Sequence, residues 1–240
     1  MKSVNRWYSP RLERDISVVR WGHFGRPVLV FPTAGGDAEE IERMRLLDVL
    51  DDLVAGGRVK VYSCDSVAGR AMVNEEGTPR YRTWLMNQFH QFVYHEMVPA
   101  IRADCDNDSI GVVSAGASIG AFNALAVLCR FPDVFTDAIC MSGTYDMTRF
   151  IAAYDEDLFF SSPLHFLPGL DGSALDQLRQ RNVILASGEG AWENIGESWR
   201  VAEALGSKGV PNRVDGWGPE YEHNWPTWRA MLPHYLNQLA

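Results

Sequence analysis

The chain has 240 residues, 46% of them hydrophobic and 22% charged, an ordinary globular balance at a length that buries a large core. The 22 basic and 31 acidic side chains leave a net charge of −9, which repels phosphate backbones and gives anionic lipid no attraction. Nucleic acid and membrane are therefore not expected as partners.

Short apolar or β-rich runs alternate with longer helical patterns along the chain. The runs predict seven strands: Arg14–Trp21, Pro27–Phe31, Val59–Ser63, Ser109–Ser114, Asp137–Met141, Val183–Ser187 and Asn212–Trp217. The longer segments predict five helices: Ala38–Ala55, Arg80–Ala103 with a kink near Pro99, Ser118–Arg130, Glu197–Leu205 and Trp225–Leu239. This alternation predicts an α/β fold, a mostly parallel sheet with helices on both faces, in one domain spanning 1–240.

The segment 143–172 breaks the alternation. We predict an insertion after a strand, forming a lid or pocket wall over the carboxyl edge of the sheet. Its aromatic residues either line a substrate cleft or pack onto the sheet, and the sequence favours neither: Tyr145, Phe150, Tyr154, Phe159, Phe160 and Phe166. Trp192, Trp225 and Trp228 are further candidates for the same neighbourhood.

The four cysteines are Cys64, Cys105, Cys129 and Cys140, with no C-x-x-C pair and no short Cys/His cluster. No metal site is expected from this pattern. The first residues have no apolar signal-peptide core, and no stretch approaches the length of a membrane span. The simplest location for the protein is a reducing cytoplasm.

The strongest motif is G-x-S-x-G, formed by Gly116, Ser118 and Gly120. An apolar strand precedes it and an Ala-rich helix follows, as in the nucleophile elbow of α/β hydrolases, where a serine sits on a sharp turn from strand to helix. The flanking glycines leave room for that turn. A small-residue packing turn is the alternative, and the context favours Ser118 as a nucleophile.

A serine nucleophile needs a base, which this fold places on a loop after the last strand. His223 is in that position, between Asn212–Trp217 and the closing helix. The remaining histidines fit the position less well: His23, His90, His95, His165 and His234. His165, in the insertion, is also a candidate for contact with substrate.

The triad acid holds the imidazole tautomer, and it should follow the strand Val183–Ser187. That loop offers Glu189, Glu193 and Glu197 but no aspartate. Glu193 is our choice, because Glu189 lies very close to the strand end and Glu197 is expected to begin a helix as a capping carboxylate. Asp215 is a weaker candidate within the last strand.

Acyl transfer also needs backbone N–H groups facing the developing oxyanion. Ile119, which follows the nucleophile, should supply one. The loop after Pro27–Phe31 should supply the other, from Ala34 or, second, from Gly35. Gly35 and Gly36 also suit a simple turn before the helix cap Asp37.

The chain resembles the putative-esterase family of α/β hydrolases, which includes esterase D-like and feruloyl esterase-like enzymes. The resemblance runs from about Pro27 to the C-terminus. It rests on five stretches: Phe31–Gly36, Gly116–Ala121, Phe131–Phe135, Met141–Asp146 and His223–Trp228. It implies hydrolysis of a small-molecule carboxylic ester through an acyl-enzyme, without a metal or organic cofactor.

Two other functions suit the same residues. An acyltransferase shares the first half-reaction and delivers the acyl group to an alcohol. A hydrolase-fold binding protein without catalysis is favoured by the missing acid aspartate and opposed by the presence of Ser118 and His223. A peptidase fits less well, because nothing marks a peptide-binding channel.

Overall fold

The computed structural model describes residues 1–151 and 154–239, so positions 152 and 153 of the predicted insertion and position 240 of the predicted domain lie outside it. Eight strands form one sheet in the order β1-β2-β4-β3-β5-β6-β7-β8. Their bounds are β1 Lys2–Ser9, β2 Arg14–Trp21, β3 Arg26–Phe31, β4 Val59–Cys64, β5 Val112–Ala117, β6 Phe135–Met141, β7 Asn182–Ser187 and β8 Asn212–Gly216. β2 is antiparallel to both β1 and β4, and all other neighbours are parallel.

The helices cover both faces of the sheet. Their bounds are α1 Glu40–Arg43, α2 Asp51–Ala55, α3 Val67–Val73, α4 Pro79–Phe92, α5 Val98–Asp104, α6 Ile119–Arg130, α7 Glu156–Ser161, α8 Pro163–Phe166, α9 Gly172–Leu178, α10 Ile195–Ser207 and α11 Trp225–Leu239. One core cluster contains apolar residues of α3 to α10, and a second contains those of α1, α2 and α11. The mostly parallel, two-sided architecture predicted from the sequence is confirmed. Among the described residues, no helix is both long enough and apolar enough to cross a membrane.

Each predicted strand is present, with ends shifted by up to three residues. The central strands β4 and β5 are buried along their whole length, which is why they are mostly apolar; their buried polar residues are Lys60, Ser63 and Ser114. The edge strand β1 was not predicted. Most of its residues are exposed, so its sequence lacks the apolar alternation that identified the others.

The prediction of one continuous helix over Ala38–Ala55 is wrong. Arg45 adopts a left-handed backbone with φ 60°, and the N–H of Leu46 bonds back to the carbonyl of Ile41 at 2.9 Å, which ends α1. Ile41, Leu50 and Leu53 nevertheless face the same core cluster. The apolar spacing therefore continues across the helix break at Arg45, and for this reason the spacing does not indicate the break.

The long segment Arg80–Ala103 is helical from α4 to α5, and a π turn over Val93–Met97 joins the two. Pro99 is the second residue of α5 and has no N–H to donate. The wider turn immediately before it accommodates that missing hydrogen bond, so an irregularity near Pro99 is confirmed.

The sheet has its topological switch between β3 and β5. After β3 the chain adds β4 on one side and then returns to β5 on the other. The loops at the carboxyl ends of β3 and β5 consequently diverge and leave a crevice, where ligands of such sheets bind.

Candidate active site

Ser118 joins β5 to α6 in a strained conformation, with φ 58° and ψ −123°. Its N–H donates to the carbonyl of Met141 at 3.0 Å, and its own carbonyl accepts the N–H of Thr144 at 3.3 Å. A left-handed serine costs about 1–3 kcal/mol and persists only where its surroundings enforce it. A sharp, strained turn from strand to helix is the backbone geometry of a nucleophile elbow, and Ser118 lines a cavity at this turn.

The glycines at both sides of Ser118 are required by contact distances. A Cβ on Gly116 would lie 2.4 Å from the backbone of Gly120, and a Cβ on Gly120 would lie 2.6 Å from the carbonyl oxygen of Phe31. Neither contact can relax by turning a side chain, because both involve main chain. The motif therefore brings the start of α6 against the end of β3.

Ile119 and Ala34 approach Ser118 from two elements. Ile119 is the first residue of α6, so its N–H has no acceptor within the helix. Ala34 lies in the loop after β3 and lines the same cavity as Ser118 and Ile119. Gly35, the second choice for this position, is exposed and does not line that cavity.

The buried carboxylate of Glu40 fixes the loop that carries Ala34. It accepts the N–H of Thr33 at 2.8 Å on one oxygen and the Thr33 hydroxyl at 2.6 Å on the other. Both bonds involve a charged acceptor and are stronger than neutral ones. Sequence reasoning missed Glu40, since nothing in its pattern distinguishes it from a helix-start carboxylate.

His223 and Glu193 come together on neighbouring loops. The Glu193 side chain is 1% exposed, and one of its oxygens lies 3.7 Å from Nδ1 of His223. That separation is longer than a hydrogen bond, and catalytic contacts of this kind tighten when substrate binds. The N–H of His223 donates to the carbonyl of Ala191 at 3.0 Å, and the N–H of Gly190 donates to the carbonyl of Tyr221 at 3.0 Å. The loops after β7 and β8 are thus joined by main-chain hydrogen bonds.

Two serines donate hydrogen bonds to the Glu193 carboxylate, and a tryptophan donates to one of these serines. Ser142 donates its hydroxyl to one oxygen at 2.5 Å, and Ser187 donates to the other at 3.2 Å. Trp228 donates its indole N–H to the Ser142 hydroxyl at 3.0 Å and packs edge-on to the His223 ring, with centroids 5.2 Å apart. These hydroxyl donors give the buried carboxylate hydrogen-bond partners on both oxygens. No sequence motif marks Ser142.

The other acid candidates lie in different surroundings. Glu197 does not cap α10. It accepts the backbone N–H groups of Tyr145 and Asp146 at 3.1 and 3.0 Å, so the expected capping role is wrong. Glu189 is exposed. Asp215 lies in β8 and pairs with Arg213 at 3.1 Å.

None of the other histidines lines the cleft that holds Ser118 and His223. His90 is buried against Asn123, and burial lowers its pKa to about 3. His165 packs edge-on to Tyr154, with ring centroids 5.1 Å apart, and burial lowers its pKa. His23, His95 and His234 are exposed. Within the described residues, no three His, Cys, Asp or Glu side chains are grouped to hold a metal ion.

The cleft consists of two adjoining cavities, which share Thr144, Arg149 and Phe150. The first, about 470 Å³, contains Ser118; its remaining lining residues are Ala34, Met72, Val73, Glu75, Ile119 and Met147. The second, about 190 Å³, contains His223; its remaining lining residues are Ser142, Gly143, Trp192, Asn194 and Glu197. The first residues of the insertion therefore form a wall of both cavities.

The aromatic residues divide between the two roles that the sequence left open. Phe150 and Trp192 line the cleft and are 55% and 92% exposed. Phe166 and Tyr145 are buried in the core, and Phe159 packs against it. Tyr154 and Phe160 are exposed, and Trp225 packs edge-on to Trp228.

Comparison with known families agrees with this architecture. Residues 40–239 match the family described as "Putative esterase". The chain therefore belongs to this family and is a carboxylic ester hydrolase. A search of curated proteins finds no match.

Solved structures similar to this chain share its fold at low sequence identity. A ferulic acid esterase aligns with a TM-score of 0.77 at 16% identity, over 100% of this chain and 99% of that one. An S-formylglutathione hydrolase from Agrobacterium tumefaciens aligns with a TM-score of 0.73 at 12% identity, over 99% and 94%. The enterobactin esterase of Shigella flexneri aligns with a TM-score of 0.71 at 19% identity, over 99% of this chain and 59% of that one.

Proposed function

We propose that the protein hydrolyses carboxylic esters through an acyl-enzyme on Ser118, with His223 as general base and Glu193 as the triad acid. The observation that carries the proposal is the meeting of three separate loops at one cleft. The strained Ser118 lines one cavity, His223 lines the next, and the buried carboxylate of Glu193 lies beside Nδ1 of His223.

Acylation begins when the Ser118 hydroxyl attacks the ester carbonyl and His223 takes its proton through Nε2. Glu193 lies 3.7 Å from Nδ1. When this separation shortens to a hydrogen bond in the substrate complex, Glu193 selects the tautomer with a proton on Nδ1 and stabilises the imidazolium. His223 then gives the proton to the leaving alcohol. Water then attacks the acyl-enzyme while His223 takes its proton. His223 returns the proton to the Ser118 oxygen, and the carboxylic acid is released.

The oxyanion of each tetrahedral intermediate faces the N–H groups of Ile119 and Ala34. Each such donor typically contributes about 3 kcal/mol to the transition state. Glu40 supports this role indirectly, because its two bonds to Thr33 hold the residue next to Ala34. We further propose that the insertion 143–172 serves as the substrate-binding wall of a single catalytic domain, and that the protein works in the cytoplasm on small-molecule esters.

The test is the hydrolysis of 4-nitrophenyl acetate followed from the first milliseconds. The wild type should release a burst of nitrophenol equal to the enzyme concentration and then turn over steadily. Ser118→Ala should lose the burst and about 10⁵-fold or more of the rate. Ser207→Ala, a surface serine of α10 that bonds the carbonyl of Ala204, should behave as wild type. A Ser118→Ala variant with the wild-type rate would disprove the proposal.

Adding a primary alcohol and assaying for its ester separates hydrolysis from acyl transfer.

A further inference from the structure

Among the described residues that line the catalytic cleft, Arg149 is the one Lys or Arg, and it lines both cavities. It lies in the insertion, in a short 3₁₀ turn over Met147–Arg149. Its side chain is 56% exposed. The carboxylates of Glu75 and Glu197 line the same cleft, so what Arg149 offers an anion is a local group to bind, not a positively charged cleft.

The carboxylate that pairs with Arg149, that of Glu197, also has other hydrogen-bond and ion-pair partners. Glu197, 7% exposed, lies 3.5 Å from the Arg149 guanidinium. The same carboxylate accepts the N–H groups of Tyr145 and Asp146 and lies 3.5 Å from Arg200. A guanidinium has five N–H donors, and one contact at the outer limit of hydrogen-bond distance occupies few of them. Arg149 can therefore bind a second anion in the cleft.

The mechanism specifies on which side that anion would lie. His223 delivers a proton to the leaving oxygen, so the leaving alcohol occupies the cavity that contains His223. Polar side chains of Arg149 and Asn194 line that cavity, together with the Glu197 carboxylate, which is occupied by two main-chain N–H groups. Arg149 lines the other cavity as well, but there the apolar side chains of Met72 and Val73 and the carboxylate of Glu75 disfavour an anionic acyl group.

We propose that Arg149 binds a carboxylate carried by the leaving alcohol, so that the preferred substrates are O-acylated hydroxy acids with an uncharged acyl group. This inference rests on the proposed ester hydrolysis at Ser118. Arg149 acts as a specificity-determining residue, and its bond to the substrate carboxylate is charge-assisted and bidentate in the geometry that arginine favours.

The test compares two esters with the same acyl group and leaving groups of nearly equal size, 4-acetoxybenzoate and 4-acetoxybenzamide. The wild type should have the higher kcat/KM for the carboxylate. Arg149→Gln should lower the ratio of the two kcat/KM values about 10- to 100-fold, the range of a hydrogen bond to a charged group. Arg149→Lys, which keeps the charge but lacks the paired N–H donors of a guanidinium, should recover part of that ratio.

Arg200→Gln is the matched control, because Arg200 lies the same 3.5 Å from Glu197 and does not line the cleft. It should keep the wild-type ratio. An equal fall of the ratio in Arg200→Gln, or an unchanged ratio in Arg149→Gln, would overturn the inference. Labelling of Ser118 by a fluorophosphonate in all variants separates these outcomes from failure of the proposed function, which would leave even the wild type unlabelled.

Discussion

The turn at Ser118, which we propose as a nucleophile elbow, and the loops of Glu193 and His223, which we propose as the acid–base loops, are held in place by different means. At the elbow, main-chain atoms within a few residues of Ser118 and at the end of β3 leave space for glycine and nothing larger. At the acid–base loops, Glu193 and His223 are placed by contacts with residues far apart in sequence, Ser142 and Trp228.

This difference separates two kinds of sensitivity. The elbow depends on steric fit, so a single added methyl group should affect both folding and activity. The acid–base loops depend on hydrogen bonds, so isosteric changes that alter a donor or a charge should reduce turnover and leave the fold intact.

Among changes outside the proposed nucleophile, the largest effect is expected from Glu193→Gln. The amide keeps the shape of the side chain but cannot stabilise an imidazolium, so kcat should fall about 10⁴-fold with little change in stability. Glu189→Gln on the same loop is the control and should retain wild-type kcat. Equal losses in the two variants, measured by ester hydrolysis, would show that the acid is wrongly assigned.

Gly120→Ala should break the elbow by steric conflict. The new Cβ would meet the carbonyl oxygens of Phe31 and Pro32 at 2.6 and 2.8 Å. Overpacking of this kind costs about 1–3 kcal/mol of folding free energy, and displacement of Ser118 by about 1 Å reduces turnover about 100-fold. Gly35→Ala has open space around its Cβ and should change neither value. Urea unfolding measures the folding free energy, and ester hydrolysis measures the turnover. A Gly120→Ala variant equal to the wild type in both would show that these contacts do not restrict the elbow.

Glu40→Gln tests whether the buried Glu40 carboxylate holds the loop that carries Ala34 in position. The amide can accept one of the two bonds from Thr33 and would direct its own N–H at the other donor. We expect kcat to fall about 10- to 50-fold, part of the loss caused by removing an oxyanion donor outright, with KM nearly constant. Glu39→Gln is the control, because Glu39 pairs with Lys2 at the surface. A Glu40→Gln variant that changes KM alone would place Glu40 in substrate binding instead.

Ser142→Ala should give the smallest effect, about tenfold in kcat. It removes one hydroxyl donor from the Glu193 carboxylate and leaves the indole N–H of Trp228 without its acceptor. Ser187→Ala, which removes the longer bond to the same carboxylate, should cost less. The reverse ranking would show that the Ser142 bond does not position the acid.

The sequence predicted the sheet well because its buried strands are mostly apolar, and it singled out Ser118 as a candidate because the steric demands of the turn leave a short glycine motif. It did not predict β1, whose exposed residues carry no pattern, nor the break at Arg45, where apolar spacing continues through a left-handed residue.

The rest of the site depends on tertiary contacts that no local pattern records. The choice among Glu189, Glu193 and Glu197 rests on which carboxylate meets His223, and that depends on the pairing of the loops after β7 and β8. Ser142 and the cleft position of Arg149 were likewise invisible, because each acts through residues distant along the chain. Glu40 lies only seven residues from Thr33, but no local pattern shows that its side chain folds back onto that loop.

The most direct test of the triad is labelling with a fluorophosphonate followed by intact mass and peptide mapping. The account predicts one adduct per chain, located on Ser118, absent from Ser118→Ala and formed much more slowly by Glu193→Gln. A well-folded wild type that forms no adduct, or that carries it on another residue, would contradict the assignment of Ser118 as an activated nucleophile.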